Sequence, residues 1–540
     1  MHIKRSRFAE KKSQNPFEWK HFQDYLQARK LSVLFLYIIS FAVYGIWASH
    51  DVISFDAEGF YSVQNAGKWY YQWFQLNRWA LVYLKRVLSA TFINPYLSIA
   101  LLLILFPLSA VLWSFIFWKW NGEQDHTGDL LVFGIIYLLC PIFAFQFSYR
   151  NQMDVISIMM VIMPLAMSFV INWIQHGGCF SFFCALFLLV LLFGSYQAFM
   201  IVTAQSCAIY LYLISSQEKK GDSEQYRKTF LKMLFLVFLS YLVNSLVSRE
   251  LRYFNGVFEN SDYLSHQFYW GKRPILENVI QIGKYVRNLI FHDPEAGTQS
   301  AMHSHVWMLY GLEIVVALMH SIIALIRKRA YGKKIAFNNL MCFCIFISPF
   351  LLELATAGNI VIRSLFSYPL TLAFMAVVEL NWMRAFFSDE KKAVFQVISF
   401  CLVAAAAGKE MTVTSRLLYT DNKTMEEDYE ALDRIYYTAL QQGAREGDAF
   451  CFVGWKDQPR GDKITYMEDE VIGYSYLETI PLTKNEKIID AMTAFGFNVS
   501  YPTEEQETEA SEVAKNLDAY PAGNYFYVNS EQHLVVVNLG

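Results

Sequence analysis

The chain has 540 residues, of which 55% are hydrophobic, 17% aromatic and 17% charged, whereas soluble domains are about one quarter charged. This composition is typical of a membrane protein and argues against a disordered chain or a single soluble core. Charge is unevenly spread, because residues 408–540 carry a net charge of −13 and the preceding residues one of +10. The excess basic residues flank apolar segments, where lipid headgroups would meet them, so we expect no nucleic-acid partner.

Apolar runs predict the membrane spans, because a bilayer core about 30 Å thick needs roughly 20 apolar residues in a helix. The run 180–215 is far too long for one crossing, and its polar centre Gly194-Ser195-Tyr196-Gln197 predicts a turn between two helices. This division gives eleven predicted spans: 31–49, 95–118, 130–147, 155–174, two within 180–215, 230–247, 306–326, 335–354, 364–387 and 393–407.

The distribution of Lys and Arg predicts the topology, because these residues accumulate in short cytoplasmic loops. The basic N-terminus, residues 1–30, is placed in the cytoplasm, and an odd number of spans then places the C-terminal part outside. The expected fold is an all-α polytopic membrane domain (31–407), with outer loops 51–94 and 249–305, followed by a small α/β extracytoplasmic domain (408–540). In that domain we expect strands within 449–455 and 525–539 and helices at 425–441, 484–495 and 504–517.

The first outer loop carries an amphipathic pattern and an acidic pair. Trp69 and Trp73 recur at helical spacing with apolar residues as far as Val87, and Lys85 falls among the polar positions between them. This pattern predicts one helix lying in the headgroup layer. Asp56 and Glu58, directly after the first span, are candidate general bases for a hydroxyl nucleophile, with a solvated loop as the alternative.

Further polar residues are expected on the same outer face. Asp154 is a candidate second acid and Arg150 a candidate phosphate ligand, although a capped helix start also explains this segment. A polar pair, Tyr196-Gln197, at a turn between apolar helices favours a ligand cavity, although turn formation alone is an alternative. Arg363 and, with weaker placement, Arg78, Arg249 and Arg252 are candidates for holding a lipid phosphate, against the alternative that they extend to the headgroups.

A metal site is only weakly indicated. His303-x-His305 lies in the long outer loop, but nothing at a definite spacing supplies further ligands. Walker-type and dinucleotide-binding glycine motifs are absent from the sequence. We therefore expect no certain cofactor, with a divalent cation as a possibility.

The order of short motifs resembles the Gtr type II bacterial glucosyltransferases. The resemblance rests on Asp56-Ala57-Glu58-Gly59, Gly67-Lys68-Trp69, Asn77-Arg78-Trp79, Tyr149 with Asp154, Ser195-Tyr196-Gln197-Ala198, Arg363 with Pro369, and Ala519-Tyr520-Pro521-Ala522-Gly523. The acids are separated by one residue and Arg78 follows Asn77, which departs from the family pattern. This departure leaves open which carboxylate is the base.

The resemblance implies a GT-C type glycosyltransferase in the bacterial inner membrane. It would move glucose from a polyprenyl-phosphate donor to a cell-surface polysaccharide such as O-antigen, with inversion. Asp56 would be the base, Glu58 and Asp154 would orient the acceptor or hold the sugar, and the donor and acceptor would contact Arg78, Tyr149, Arg150, Tyr196, Gln197, Arg363, Trp69 and Trp73. A lipid-sugar synthase and a flippase are expected partners beside the bilayer.

The sequence is also compatible with two other functions. One is a non-catalytic flippase or transporter of lipid-linked sugars, which would need polar groups along a path to the inner face. The other is an enzyme of the same architecture that uses another sugar or polymerises polysaccharide.

Overall fold

A computed structural model gives the arrangement of the chain. It describes residues 18–50, 52–53, 56–61, 63–89, 94–124, 128–217, 223–259, 268–291, 306–327, 332–358, 361–385, 387, 389–456, 472–478 and 485–540. The His303-x-His305 pair lies outside these ranges.

Helices dominate the part of the chain before residue 389. Their bounds are Trp19–Ala28, Lys30–Tyr44, Ile46–Ser49, Val63–Gln75, Trp79–Ser89, Pro95–Trp120, Asp129–Leu139, Pro141–Ser148, Arg150–His176, Cys179–Ser195, Ala198–Gln217, Ser223–Phe254, Ile275–Phe291, Val306–Arg327, Gly332–Ile347, Leu351–Thr356 and Ser367–Arg384. Local chemistry fixes several ends. Asn94, for example, caps a helix by accepting a hydrogen bond from the amide of Leu97 at 3.1 Å, and Pro95 occupies the first helical position.

The predicted division of the long apolar run is confirmed. One helix ends at Ser195 and the next begins at Ala198, with Tyr196 and Gln197 between them. The run 130–147 is also interrupted, because Pro141 begins a second helix that is bent by 46° from the first.

The number of spans differs from the expected eleven. Seven described helices are long and apolar enough to cross a bilayer, or nine if each of two bent pairs counts as one span. The helices Cys179–Ser195 and Ser367–Arg384 correspond to predicted spans and fall outside that count. A membrane protein is therefore supported, whereas eleven crossings are not confirmed.

The single headgroup-layer helix predicted over 69–87 is wrong. The segment forms two helices, Val63–Gln75 and Trp79–Ser89, separated at Asn77, whose φ of +58° is left-handed. Lys85, which the pattern placed on a polar face, is fully buried. The reason is tertiary packing: the second helix contacts the apolar helices Arg150–His176 and Cys179–Ser195, and Lys85 pairs with Asp154 of the former.

A 53-residue helix, Asp389–Gln441, connects the two parts of the chain. It combines the predicted last span with the predicted helix 425–441 and runs without a break across residue 408, where the sequence composition changes. The sequence around Gly408 contains no proline, so nothing local ends the helix there. We refer to Asp389–Gln441 as the long helix.

The predicted C-terminal domain, residues 408–540, contains a three-stranded sheet within its described ranges, with the strand order β1-β3-β2. Strand β1 (Ala449–Val453) pairs in parallel with β3 (Leu534–Asn538), and β2 (Phe526–Asn529) pairs with β3 in antiparallel orientation. Helices Asn485–Ala494 and Glu504–Ala514 pack beside the sheet. The long helix supplies Leu432, Ile435 and Tyr436 to the apolar core of this domain.

The C-terminal domain is docked on the helical part. Tyr149, which immediately precedes helix Arg150–His176, is buried within the apolar core of the C-terminal domain. Helix Asn485–Ala494 lies against the short turn Glu58–Phe60, in the segment predicted as the first outer loop. This docking brings residues from distant parts of the sequence to one face.

Candidate active site

The acidic pair lies in a tight and strained turn. Asp56 adopts a left-handed backbone conformation with φ of +67°, which is uncommon for a residue with a side chain. Its carbonyl oxygen accepts a hydrogen bond from Asn151 Nδ2 at 2.8 Å. Glu58 then begins the 3-10 turn Glu58–Phe60. Strain held in this way by surrounding contacts is typical of functional positions.

Lys487, from the C-terminal domain, lies between the two acids. Its Nζ is 2.6 Å from Asp56 Oδ1 and 2.5 Å from Glu58 Oε1. The same ammonium lies 4.7 Å from the centre of the Trp69 ring, at a distance typical of cation–π contacts. We name Asp56, Glu58 and Lys487 the carboxylate centre.

The two acids have different environments. Glu58 has no exposed side-chain surface and its second oxygen, Oε2, accepts a hydrogen bond from the Tyr476 hydroxyl at 3.3 Å, whereas the Asp56 side chain is 32% exposed. The described residues leave Asp56 Oδ2 without a hydrogen-bond partner. Asp56 therefore has an accessible oxygen, and Glu58 does not.

Burial and charge act against each other in this centre. Burial raises the pKa of Glu58 to about 7, the charge of Lys487 opposes that rise and the charge of Asp56 adds to it. Burial also lowers the pKa of Lys487, but the two carboxylates outweigh burial and raise that pKa overall. The ammonium therefore stays protonated, while Glu58 titrates near neutral pH.

A second feature is a cavity of about 770 Å³ that four arginines help to line. Arg78 and Arg363 line it together with Arg249 and Arg252, which the sequence indicated only weakly. The remaining lining is largely apolar and aromatic, including Phe193, Ile201, Tyr241, Tyr253, Phe258 and Leu352. Cationic groups beside an apolar lining suit a ligand with a phosphate and a hydrocarbon chain. We name this space the arginine cavity.

The turn at Tyr196-Gln197 forms one wall of the arginine cavity. Arg78 Nε donates a hydrogen bond to Gln197 Oε1 at 3.3 Å, and its guanidinium lies 4.5 Å from the centre of the Tyr196 ring. Gln197 in turn donates to the carbonyl of Leu76. The structure thus brings together three of the residues that the sequence proposed for substrate binding.

Three consecutive residues connect the arginine cavity with the carboxylate centre. The guanidinium of Arg363 lies 4.3 Å from the centre of the Tyr149 ring. Asn151, two residues on, donates to the Asp56 carbonyl. Between them, Arg150 is buried and lies 4.6 Å from the centre of the Trp47 ring, so it is not among the residues that line the cavity.

Asp154 is placed differently from the acids of the carboxylate centre. Its Oδ2 is 2.6 Å from Lys85 Nζ, and both side chains are buried. Its other oxygen, Oδ1, accepts a hydrogen bond from the amide of Val155. The structure therefore gives Asp154 an ion-pair partner inside the protein, which the sequence had not suggested.

The two tryptophans also differ. Trp73 is buried and stacks on Phe60 with ring centres 5.0 Å apart, so its placement is that of a core residue. Trp69 is only partly buried and lies beside Lys487. Gly59 makes this arrangement possible, since a Cβ there would lie 2.2 Å from Trp69 Nε1.

Sequence reasoning missed three residues that the structure places at these sites: Lys85, Tyr476 and Lys487. Lys487 contacts acids about 430 positions away, and no spacing rule connects residues so far apart in the sequence. Concerning metals, no group of three or more His, Cys, Asp or Glu residues with suitable placement occurs within the described ranges.

The family model described as glucosyl transferase GtrII matches residues 27–380, about two thirds of the chain. This region contains Asp56, Glu58 and the arginines of the cavity, and it ends before the C-terminal domain. A search of curated proteins finds no match. The chain belongs to the GtrII glucosyl transferase family.

Proposed function

We propose that this glucosyltransferase moves glucose from a polyprenyl-phosphate donor to a cell-surface polysaccharide on the extracytoplasmic face of the bacterial inner membrane. Family membership supports glucosyl transfer. The observation that supports the finer proposal is that Tyr149 contacts Arg363, which lines the arginine cavity, while Asn151 donates a hydrogen bond to the backbone carbonyl of Asp56.

The donor would occupy the arginine cavity. Its phosphate would be held by Arg363 and Arg78, and Arg249 and Arg252 line the same cavity. Bidentate contacts between arginine and phosphate are strong and orient the phosphate. The aromatic and aliphatic lining would receive the first part of the prenyl chain. Because the cavity accommodates only part of a long prenyl chain, the rest would lie in the surrounding lipid.

Asp56 would act as the general base. As the acceptor hydroxyl attacks C1 of glucose, its proton would pass to Asp56 Oδ2, the oxygen that the described residues leave open. The bond between C1 and the phosphate oxygen would break with its electron pair remaining on the phosphate. The arginines would stabilise that charge. Direct displacement inverts the configuration at C1.

Glu58 would support this step without touching the acceptor. It is fully buried and engages Lys487 and Tyr476 through its two oxygens. Asp154, with its buried partner Lys85, would act as a structural residue rather than as a second acid.

Defined polyprenyl-phosphate-glucose and acceptor glycan, added to membranes containing the protein, test the proposal. We expect transfer by the natural chain, a product of opposite anomeric configuration to the donor, and a loss of about 10²–10⁴-fold in rate for Asp56→Asn. The control is Asp24→Asn, a change at an exposed acid on helix Trp19–Ala28.

Three outcomes would contradict the proposal. Full transfer by the Asp56→Asn variant would remove Asp56 from the base role. A surface polysaccharide whose mass is unchanged when the protein is deleted would exclude the proposed acceptor, and a donor requirement other than a lipid phosphate would exclude the arginine cavity as the donor site.

A further inference from the structure

Two residues of the C-terminal domain contact the acids of the carboxylate centre, although this domain lies outside the region that the family model matches. The family match ends at residue 380, yet Lys487 contacts both Asp56 and Glu58, and Tyr476 donates a hydrogen bond to Glu58. A transferase whose helical part were self-sufficient would not need a charge from this domain.

We propose that Lys487 is a positioning residue that orients Asp56 and balances the charge of Glu58, so that the centre is complete only when the C-terminal domain is docked. This inference rests on the proposed function of Asp56. Lys487 does not reach the reacting atoms itself; it acts through the acid that does.

Geometry supports this role. A single ammonium at 2.6 Å and 2.5 Å from two carboxylates fixes Asp56 Oδ1, and Oδ2 has no hydrogen-bond partner among the described residues. Trp69 also contacts this ammonium, with its ring centre 4.7 Å from Nζ. Without Lys487, two acids separated by one residue would face each other without an intervening cation, and repulsion would displace the more exposed one, Asp56.

Other titratable groups surround the centre. Tyr476 faces Glu58 and has Asp421 and Asp428 behind it. Asp490 lies on the same helix as Lys487, bonded by the Tyr501 hydroxyl, and Lys68 lies 5.6 Å from the centre of the Tyr501 ring. Among the described residues, Lys487 contacts both carboxylates directly.

The test compares Lys487→Met with Lys487→Arg and with the double variant Glu58→Gln/Lys487→Met. We expect Lys487→Met to lower kcat/KM about tenfold to a hundredfold, as expected for the loss of a charged hydrogen bond, and to move the acid limb of its pH profile to higher pH. Lys487→Arg should recover part of the rate. In the Glu58→Gln background the same lysine change should have a smaller effect, because the charge it balances is gone.

A matched control is Lys515→Met, a change at an exposed lysine on the surface of the same domain, which should leave the pH profile unchanged. Equal effects of Lys487→Met with and without Glu58→Gln, or an unmoved acid limb, would overturn the proposal.

A second measurement does not depend on the donor. Zero-length carbodiimide coupling in membranes should join Lys487 to Asp56 as an amide detectable by mass spectrometry. Coupling of Lys515 to Glu512, 2.6 Å apart and exposed, serves as the positive control. Formation of the control amide without the 56–487 amide would overturn docking. Inactivity of the natural chain toward polyprenyl-phosphate-glucose together with a 56–487 amide would instead contradict the proposed function.

Discussion

Removal of the Lys85 charge tests the role of Asp154. Lys85→Met leaves a carboxylate buried without its partner, because Asp154 is 1% exposed and the ammonium of Lys85 lies 2.6 Å away. Breaking a buried ion pair on one side costs about 3–5 kcal/mol, since the remaining charge keeps its desolvation penalty. The single variant should therefore be strongly destabilised.

Removal of both charges should give a different result. A buried pair replaced by apolar residues of similar size is often neutral or even stabilising, so Lys85→Met/Asp154→Leu should recover most of the lost stability. If Asp154 is structural, as proposed, the double variant should also keep glucosyl transfer. A catalytic acid at this position would leave the double variant stable but inactive.

The assay is the midpoint of thermal unfolding in detergent, followed for both single variants and the double variant as a cycle. Lys228→Met is the control, because Lys228 is exposed and its ion pair with Glu224 at 3.3 Å should contribute about 0–1 kcal/mol. The reasoning would be refuted by a Lys85→Met variant as stable as the control, or by additive effects of the two changes.

Three further predictions concern the carboxylate centre and the arginine cavity. The Glu58 pKa of about 7 lies above its ordinary value, so the folded state binds the proton more tightly and its stability should decrease as pH rises from about 4.5 through 7. Glu58→Gln should make the unfolding midpoint less dependent on pH, and an unchanged slope would count against a buried titrating Glu58. Gly59→Ala should lower stability by about 1–3 kcal/mol and reduce transfer, because the Cβ of the new alanine would lie 2.2 Å from Trp69 Nε1. Normal unfolding and activity of this variant would show that Trp69 moves freely. Arg363→Gln should weaken donor binding about tenfold to a hundredfold and change the acceptor KM less, as measured by initial rates. The control is Arg227→Gln at an exposed site, and equal donor KM values in the two variants would exclude Arg363 from the phosphate site.

Local signals in the sequence predicted much of the fold. The polar turn at Tyr196-Gln197 interrupts an apolar run, and the structure places the helix break there. The turn chemistry and apolar periodicity that indicate such breaks operate over a few residues, so they can be read without tertiary information.

Long-range partners could not be predicted in the same way. The pattern around Lys85 was compatible with an exposed helix face, and only packing against neighbouring helices revealed its burial and its pairing with Asp154. The same limit applies to Lys487, whose helix was predicted but whose partners, Asp56 and Glu58, lie about 430 positions earlier in the sequence. The arginines of the cavity could be chosen as candidates because each lies next to an apolar segment in the sequence. That they line one cavity could not be predicted.

The continuity of the long helix makes the chemistry sensitive to chain length. Its 53 residues extend for about 80 Å, and each residue adds about 1.5 Å of rise and a rotation of about 100°. One residue inserted near position 408 would rotate the C-terminal domain by about 100° about the helix axis and move Lys487 away from Asp56. The same insertion in a flexible linker would not have this effect. An insertion of eleven residues, about three turns, would restore the angle but raise the domain by about 16 Å. Angular phase and height together therefore restrict which changes of length this enzyme can accept.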